Sequence, residues 1–336
     1  MKILFDNPIP FLLGHGGYQN QIELAKDALE RAGVDVEWLR WWDGEQTGNV
    51  IQYYGIPSPS YVQSAHAKGI KVVSLALFSS LARRPKWHYP LLAGVARGLR
   101  FMLPEAQASL VCHDGLLLAD ACIANTHVEV EAIGKVYGVP VERTHFVPNG
   151  VEEVFFRSPA RPRSEWLCCT ATITGRKRIC ELAQAAIAAK TPIRIVGKPY
   201  SESDPYYLRF RALAQSHPEW IRHVPHITDR AELAALYRSA RGFVLLSAIE
   251  TRSLSAEEAA ACECPLLLSD MPWARDVFPA NPFFLSPHAP VEETARVLRT
   301  FYDAAPTLPP NPLPTTWDDV AGSLIAIYRA VLEKRP

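Results

Sequence analysis

Two carboxylates eight positions apart are the first residues whose types and spacing point to chemistry. In the run Ser247-Ala248-Ile249-Glu250-Thr251-Arg252-Ser253-Leu254-Ser255-Ala256-Glu257-Glu258, an apolar strand pattern ends at Glu250, a short polar loop follows, and a helical pattern begins that carries Glu258 early. A carboxylate at the carboxyl edge of a parallel sheet stands where open α/β sheets bind ligands, and one early in the following helix lines the same crevice. The plainer alternative is a negative charge favouring a helix N-terminus. Upstream, Arg176, Lys177 and Arg178 sit directly after a strand pattern and before a helix. Cations there oppose the helix dipole, so an anion is their natural partner, and a solvated basic loop is the plainer alternative.

Two glycine-bearing turns complete the set. Gly14-His15-Gly16-Gly17 lies between a strand and a helix, where the backbone can approach a ligand. It is not a dinucleotide fingerprint, because the third glycine position of G-x-G-x-x-G holds Gln19, and this argues against a nicotinamide dehydrogenase. Pro148-Asn149-Gly150 reads as a turn joining two halves. His113 reads as a structural or surface histidine. The seven cysteines contain no C-x-x-C pair and read as buried hydrophobes, not as a disulfide framework or a zinc site.

The elements that position these residues repeat twice. Strand patterns at 3–5, 34–39, 50–54, 72–78, 121–124 and 145–147 alternate with helical ones, and so do those at 166–173, 193–196, 221–224, 243–246 and 265–269. Alternation of this kind makes parallel sheets, here in two doubly wound α/β domains. The predicted boundaries are 1–155, 156–305 and a proline-rich linker over 306–315. Thr316 then caps an amphipathic helix over 316–336, which is expected to return to the first domain.

The four segments, in this order, resemble the retaining GT-B glycosyltransferases of family 4, whose E-x7-E signature is matched by Glu250 and Glu258. The resemblance takes in Gly16-Gly17, Asp120 to Ala124, Pro148 to Val151, Lys177, Ile195 to Gly197, Asp229 to Tyr237 and Ser269-Asp270. It implies two Rossmann-like domains facing each other across a cleft, the last helix crossing back, and transfer of a sugar from a nucleotide-diphosphate sugar to an acceptor. Lys177, helped by Arg176 and Arg178, would bind the donor diphosphate; Glu258 would hold the ribose; Glu250 would meet the sugar, with Gly17 beside the reaction. Gly16, Gly197, His226, Thr251, Arg252, Ser253 and Leu254 would complete the donor site, and His15, Asn149 and His113 would lie on the acceptor side.

The same resemblance implies chemistry without a metal or other cofactor, and no Asp-x-Asp pair is present to hold a divalent ion. The sequence departs from the family at Thr172, where an Arg is common, at Thr251 to Ser255 in place of Gly-Phe-Gly-Leu-Pro, at Glu263 for a Gly, and at Ser74 to Phe78, which lacks a sugar-contacting His. These departures keep two other readings open: a catalytically silent nucleotide-sugar-binding protein, and a sugar-nucleotide epimerase.

Balanced charge, 35 basic against 35 acidic residues, leaves no footprint for nucleic acid. The N-terminus lacks a signal core and no apolar run is long enough to span a membrane, so the expected location is the cytoplasm. Between Glu45 and Glu105, however, there is no Asp or Glu. The basic 83–102 region reads as a core helix with a cationic outer face; the alternative is peripheral contact with the membrane inner face.

Overall fold

The computed structural model describes residues 1–12, 16–76, 86–157, 159 and 161–334, with backbone alone at 105, 106 and 110. The chain forms two compact units. One is Met1–Gly150 together with the chain from Thr315 onward, and the other is Val151–Pro314.

The first unit runs β1 (Lys2–Asp6), α1 (Gly17–Arg31), β2 (Asp35–Trp38), β3 (Val50–Tyr53), α2 (Pro59–Ala67), β4 (Lys71–Leu75), α3 (Tyr89–Met102), α4 (Glu105–Val111), α5 (Gly115–Leu118), β5 (Ala121–Ala124), α6 (His127–Ala132) and β6 (Thr144–Phe146). Its parallel sheet has the order β2-β1-β3-β4-β5-β6, with Ile3 opposite both Val36 and Val50. Sheets covered on both faces read as continuous apolar runs, and β5 is buried at all four positions.

The second unit runs α7 (Glu153–Arg157), β7 (Leu167–Thr170), α8 (Ile179–Ala189), β8 (Ile193–Val196), α9 (Pro205–Ser216), β9 (Ile221–Val224), α10 (Arg230–Ser239), β10 (Phe243–Leu245), α11 (Leu254–Ala261), β11 (Leu266–Ser269), α12 (Pro272–Val277), β12 (Phe284–Leu285) and α13 (Val291–Ala304). Its sheet, also parallel, has the order β12-β11-β10-β7-β8-β9. After β9 the chain returns to the other side of β7, which makes the β7/β10 junction a topological switch point where doubly wound sheets hold ligands. In the first unit β1 and β3 make the corresponding junction.

The last helix, α14 (Trp317–Glu333), belongs to the first unit. Thr316 and Asp319 form its capping box, and its buried face, Trp317, Val320, Leu324, Ile327, Tyr328 and Val331 among others, packs on α1. The Tyr328 hydroxyl donates to Gln52 Oε1 on β3 at 2.9 Å.

Several expectations shift. The unit boundary lies at Gly150/Val151, not after 155, because Val151 and Phe155 pack into the second unit's core. The proline-rich stretch up to Pro314 counts with that unit, beginning with a 3-10 turn over Ala305–Thr307 in which Ala305 is buried. The core-helix reading of 83–102 is reversed: α3 buries Tyr89 and Ala96 and turns Leu91, Val95, Phe101 and Met102 to solvent. Residues 83–85 lie outside the described residues. All seven cysteines are free and buried. Among the described residues no helix is long and apolar enough to cross a membrane.

Candidate active site

The second unit's switch point gathers charged side chains from β7 and β10. Past β7 the chain makes a 3-10 turn, Gly175–Lys177, and past β10 it enters the loop that carries Glu250. Ala248 N–H donates to the Arg176 carbonyl at 2.8 Å, which fixes one loop against the other. Lys177 Nζ pairs with Glu250 Oε1, and the Arg176 guanidinium donates to the Ile249 carbonyl at 2.9 Å and to Glu250 Oε2 at 3.4 Å. Ser247 Oγ–H adds a bond to Glu250 Oε1 at 3.0 Å. Glu250 is only 9% exposed, and two cations and a hydroxyl offset the cost of burying its charge.

Glu258, in α11, is buried in a second network. Arg230, the first residue of α10, bridges Glu258 Oε1 and Glu152, the latter through Nε at 2.6 Å. Tyr237 O–H lies 3.3 Å from Glu258 Oε2 and within 2.5 Å of Thr170 Oγ1 at the end of β7. Burial pushes the Glu258 carboxyl above the ordinary range, and the Arg230 guanidinium works against that rise.

Other predicted donor residues have structural duties. Arg178 adopts a left-handed backbone at φ 53 and sends its guanidinium to the Pro287 and Ala289 carbonyls at 2.7 and 2.6 Å. The Arg252 side chain closes on Glu257, with Nε 3.0 Å from each carboxylate oxygen, and Glu257 is fully buried. Ser253 caps α11, its Oγ accepting from Ala256 N–H at 3.3 Å, while Leu254 begins the helix, where the first amides have no intrahelical acceptor. Gly197 is held at φ +152, and a Cβ there would lie 2.0 Å from the Ala171 carbonyl oxygen, so glycine lets the β8 and β7 loops meet. Thr251 is half-buried, and His226 is exposed between β9 and α10.

Residues 151–306 match the family model described as glycosyl transferases, group 1. The likeness to the group 1 glycosyltransferases lies in the second unit. Two curated relatives, D-inositol 3-phosphate glycosyltransferases of Catenulispora acidiphila and Xylanimonas cellulosilytica, are each 26% identical over 64% and 67% of this chain. The matches span 58% and 53% of those relatives' own lengths. Solved structures give the fold. A sucrose-phosphate synthase from Thermosynechococcus elongatus superposes with a TM-score of 0.67 at 17% identity over 98% of both chains. A glycosyltransferase from Rickettsia africae gives 0.65 at 10% over 99% of both. The Anabaena protein HepE, solved with UDP and glucose, gives 0.64 at 14% over 99% of this chain and 98% of its own. The fold is therefore the two-domain, Rossmann-like GT-B type.

The first unit spreads its predicted residues apart. Gly16 precedes α1 at φ 109, a left-handed value that favours glycine, and Gly17 opens the helix, whose first turn has no acidic residue. Asn149 is buried, its Oδ1 accepting from Asn125 Nδ2 at 3.0 Å, which is a structural role at the ends of β5 and β6. His113 has φ 56 between α4 and α5, with its ring 5.3 Å from Tyr137. His15 and Gly14 lie outside the described residues. Sequence reading did not single out Arg230 and Ser247, which join the Glu258 and Glu250 networks. Ser247 stands three residues before Glu250 and was open to notice; Arg230 meets partners 28 and 78 positions away, for which no local signal exists.

Proposed function

We propose that this protein transfers a sugar from a nucleotide-diphosphate sugar to an acceptor, with Lys177 and Arg176 facing the donor diphosphate, Glu250 the sugar and Glu258 the ribose. The observation that carries this reading is the meeting of Lys177, Arg176 and Glu250 at the β7/β10 junction. Breaking a glycosyl phosphate bond leaves negative charge on the diphosphate and an oxocarbenium-like sugar, so fixed cations by the leaving group and a carboxylate by the sugar suit that transition state. Retention of configuration follows the family resemblance. The two cations would fill the charge role given elsewhere to a divalent ion, so transfer is expected to survive EDTA. The curated relatives, named for D-inositol 3-phosphate, and HepE, solved with UDP, support a UDP-type donor and a small hydroxylated acceptor.

The test is a thermal-shift screen with UDP, GDP and ADP and their sugars, followed by product analysis. Stabilisation by one nucleotide family and transfer from its sugar is the expected result. No shift and no turnover with any of them would remove the reading.

The outward apolar face of α3 favours one addition, peripheral contact with a membrane. Phe101 is 93% exposed and shares the solvent side with Leu91, Val95 and Met102, in the stretch that carries no carboxylate. An apolar stripe beside Arg97 suits an anionic interface, while Arg100 is paired with Asp114 at 3.0 Å. Co-sedimentation with anionic but not neutral vesicles, lost in Phe101→Ala/Met102→Ala, is the expected outcome.

A further inference from the structure

The β2–β3 connection in the first unit carries a feature the donor site does not use. Trp41 and Trp42 follow β2 at the carboxyl end of the sheet, beside β1 and close to the β1/β3 switch point, and they are 75% and 83% exposed. Two adjacent exposed indoles are an unfavourable apolar surface unless something covers them.

The loop that holds them is built firmly. Trp41 Nε1–H donates to Oδ1 of Asp6 at 3.2 Å, and Asp6, at the end of β1, is only 2% exposed. The Tyr61 hydroxyl takes the other oxygen of the same carboxylate, and the Tyr53 ring stands 5.0 Å from that of Tyr61. At the loop base, Arg40 donates to Glu37 at 2.9 Å and to Asp43 at 2.8 Å. The Gln46 side chain accepts from Arg40 N–H at 2.8 Å and donates to Glu37 and to the Trp38 carbonyl, each at 3.0 Å. A buried carboxylate thus sets the position of one indole, and a polar clamp closes the loop behind both. Binding groups held in place before a ligand arrives lose little entropy when it binds.

We propose that Trp41 and Trp42 form a saccharide-stacking site, which on the transferase reading above docks a sugar-bearing acceptor. The C–H face of a pyranose carries slight positive charge and lies favourably on the negative face of an indole, while its hydroxyl rim needs polar neighbours, which Asp43 and the exposed Glu45 of the same loop supply. Charge separates this site from α3. Against Arg40 and Lys2 the loop sets Glu37, Asp43 and Glu45, so its charge is slightly negative and offers no attraction to anionic lipid or nucleic-acid phosphate, whereas a neutral sugar needs none.

The experiment titrates wild type, Trp41→Ala, Trp42→Ala and Trp41→Phe with methyl α-glucopyranoside, methyl α-mannopyranoside and N-acetylglucosamine, by saturation-transfer NMR. UDP binding is measured on the same samples. At least one glycoside should bind, each alanine variant should weaken it about tenfold, and Trp41→Phe, which keeps a ring, should stay within about threefold. UDP binding should be unchanged in all four, and an unshifted first-unit transition in scanning calorimetry shows that the variants fold. Glycoside binding indifferent to both tryptophans, no binding by any of the three sugars, or retention of wild type on anionic vesicles through Trp41 and Trp42 would overturn the proposal. Loss of UDP binding in wild type with glycoside binding intact would instead strike the transferase reading and leave the stacking site standing.

Discussion

Lys177 is the residue on which the proposed donor chemistry rests most directly. Glu250 is held by Arg176 and Ser247 as well, so removing the lysine leaves its partner hydrogen-bonded and the local structure in place. Lys177→Ala is therefore expected to lower kcat/KM by roughly thirtyfold to a thousandfold, about 2 to 4 kcal/mol, with little change in thermal stability. Steady-state kinetics with the donor found in the screen check this, and a loss below about threefold would take Lys177 out of the phosphate role. Glu258 makes a different prediction. Its folded carboxyl is raised above 4.5 by burial, against Arg230, yet on the proposed reading it is ionised to accept from ribose hydroxyls. kcat/KM should rise with pH along an acid limb above pH 4.5, and Glu258→Gln should flatten that limb. Stability moves the other way: a carboxyl that holds its proton more tightly when folded contributes stability present below pH 4.5 and lost as pH rises through its folded value.

The loop into α11 carries a buried ion pair. Arg252 and Glu257 face each other with side chains 6% and 0% exposed, and burial raises the Glu257 carboxyl against the pull of Arg252. Breaking such a pair from one side leaves an uncompensated charge. Arg252→Ala is expected to cost the second unit about 3 to 5 kcal/mol in urea denaturation, whereas Arg252→Met/Glu257→Leu should recover most of that loss. Sequence reading placed Arg252 at the donor because loop position is legible and side-chain direction is not. Arg178 teaches the same lesson, since its carbonyl partners lie more than 100 residues away. Lys177 and Glu250 were legible because both follow strands whose buried apolar runs mark the sheet's carboxyl edge. β12 is two residues long, too short for a pattern, and α13 starts after Pro290 without a side-chain cap, so both escaped. For α3 the periodicity announced an apolar face correctly; what that face would meet, core or solvent, is decided by tertiary structure.

At the scale of the whole molecule, the first unit is assembled from two distant stretches of chain, and α14 is the piece that closes it. Gly150, at the end of the Pro-Asn-Gly turn, lies against the start of that helix: a Cβ there would come within 2.6 Å of Trp317 Cα. The Arg31–Asp318 ion pair, at 2.8 Å, and the Tyr328–Gln52 bond tie the same helix to α1 and β3. Seven side chains of α14 are buried, worth about 10 kcal/mol or more at about 1.5 kcal/mol each. That is comparable with the roughly 5 to 15 kcal/mol that holds a domain together. A chain ending at Pro314 should therefore lose the first unit's cooperative unfolding, while the second unit, whose core contains no residue of α14, keeps its own transition. Gly150→Ala should act as a milder version, lowering the first unit's stability by about 1 to 3 kcal/mol because the backbone of Trp317 as well as its buried indole meets the added methyl. Scanning calorimetry separates the outcomes, and a single transition shifting as a whole in both variants would contradict the division of stability between the two units.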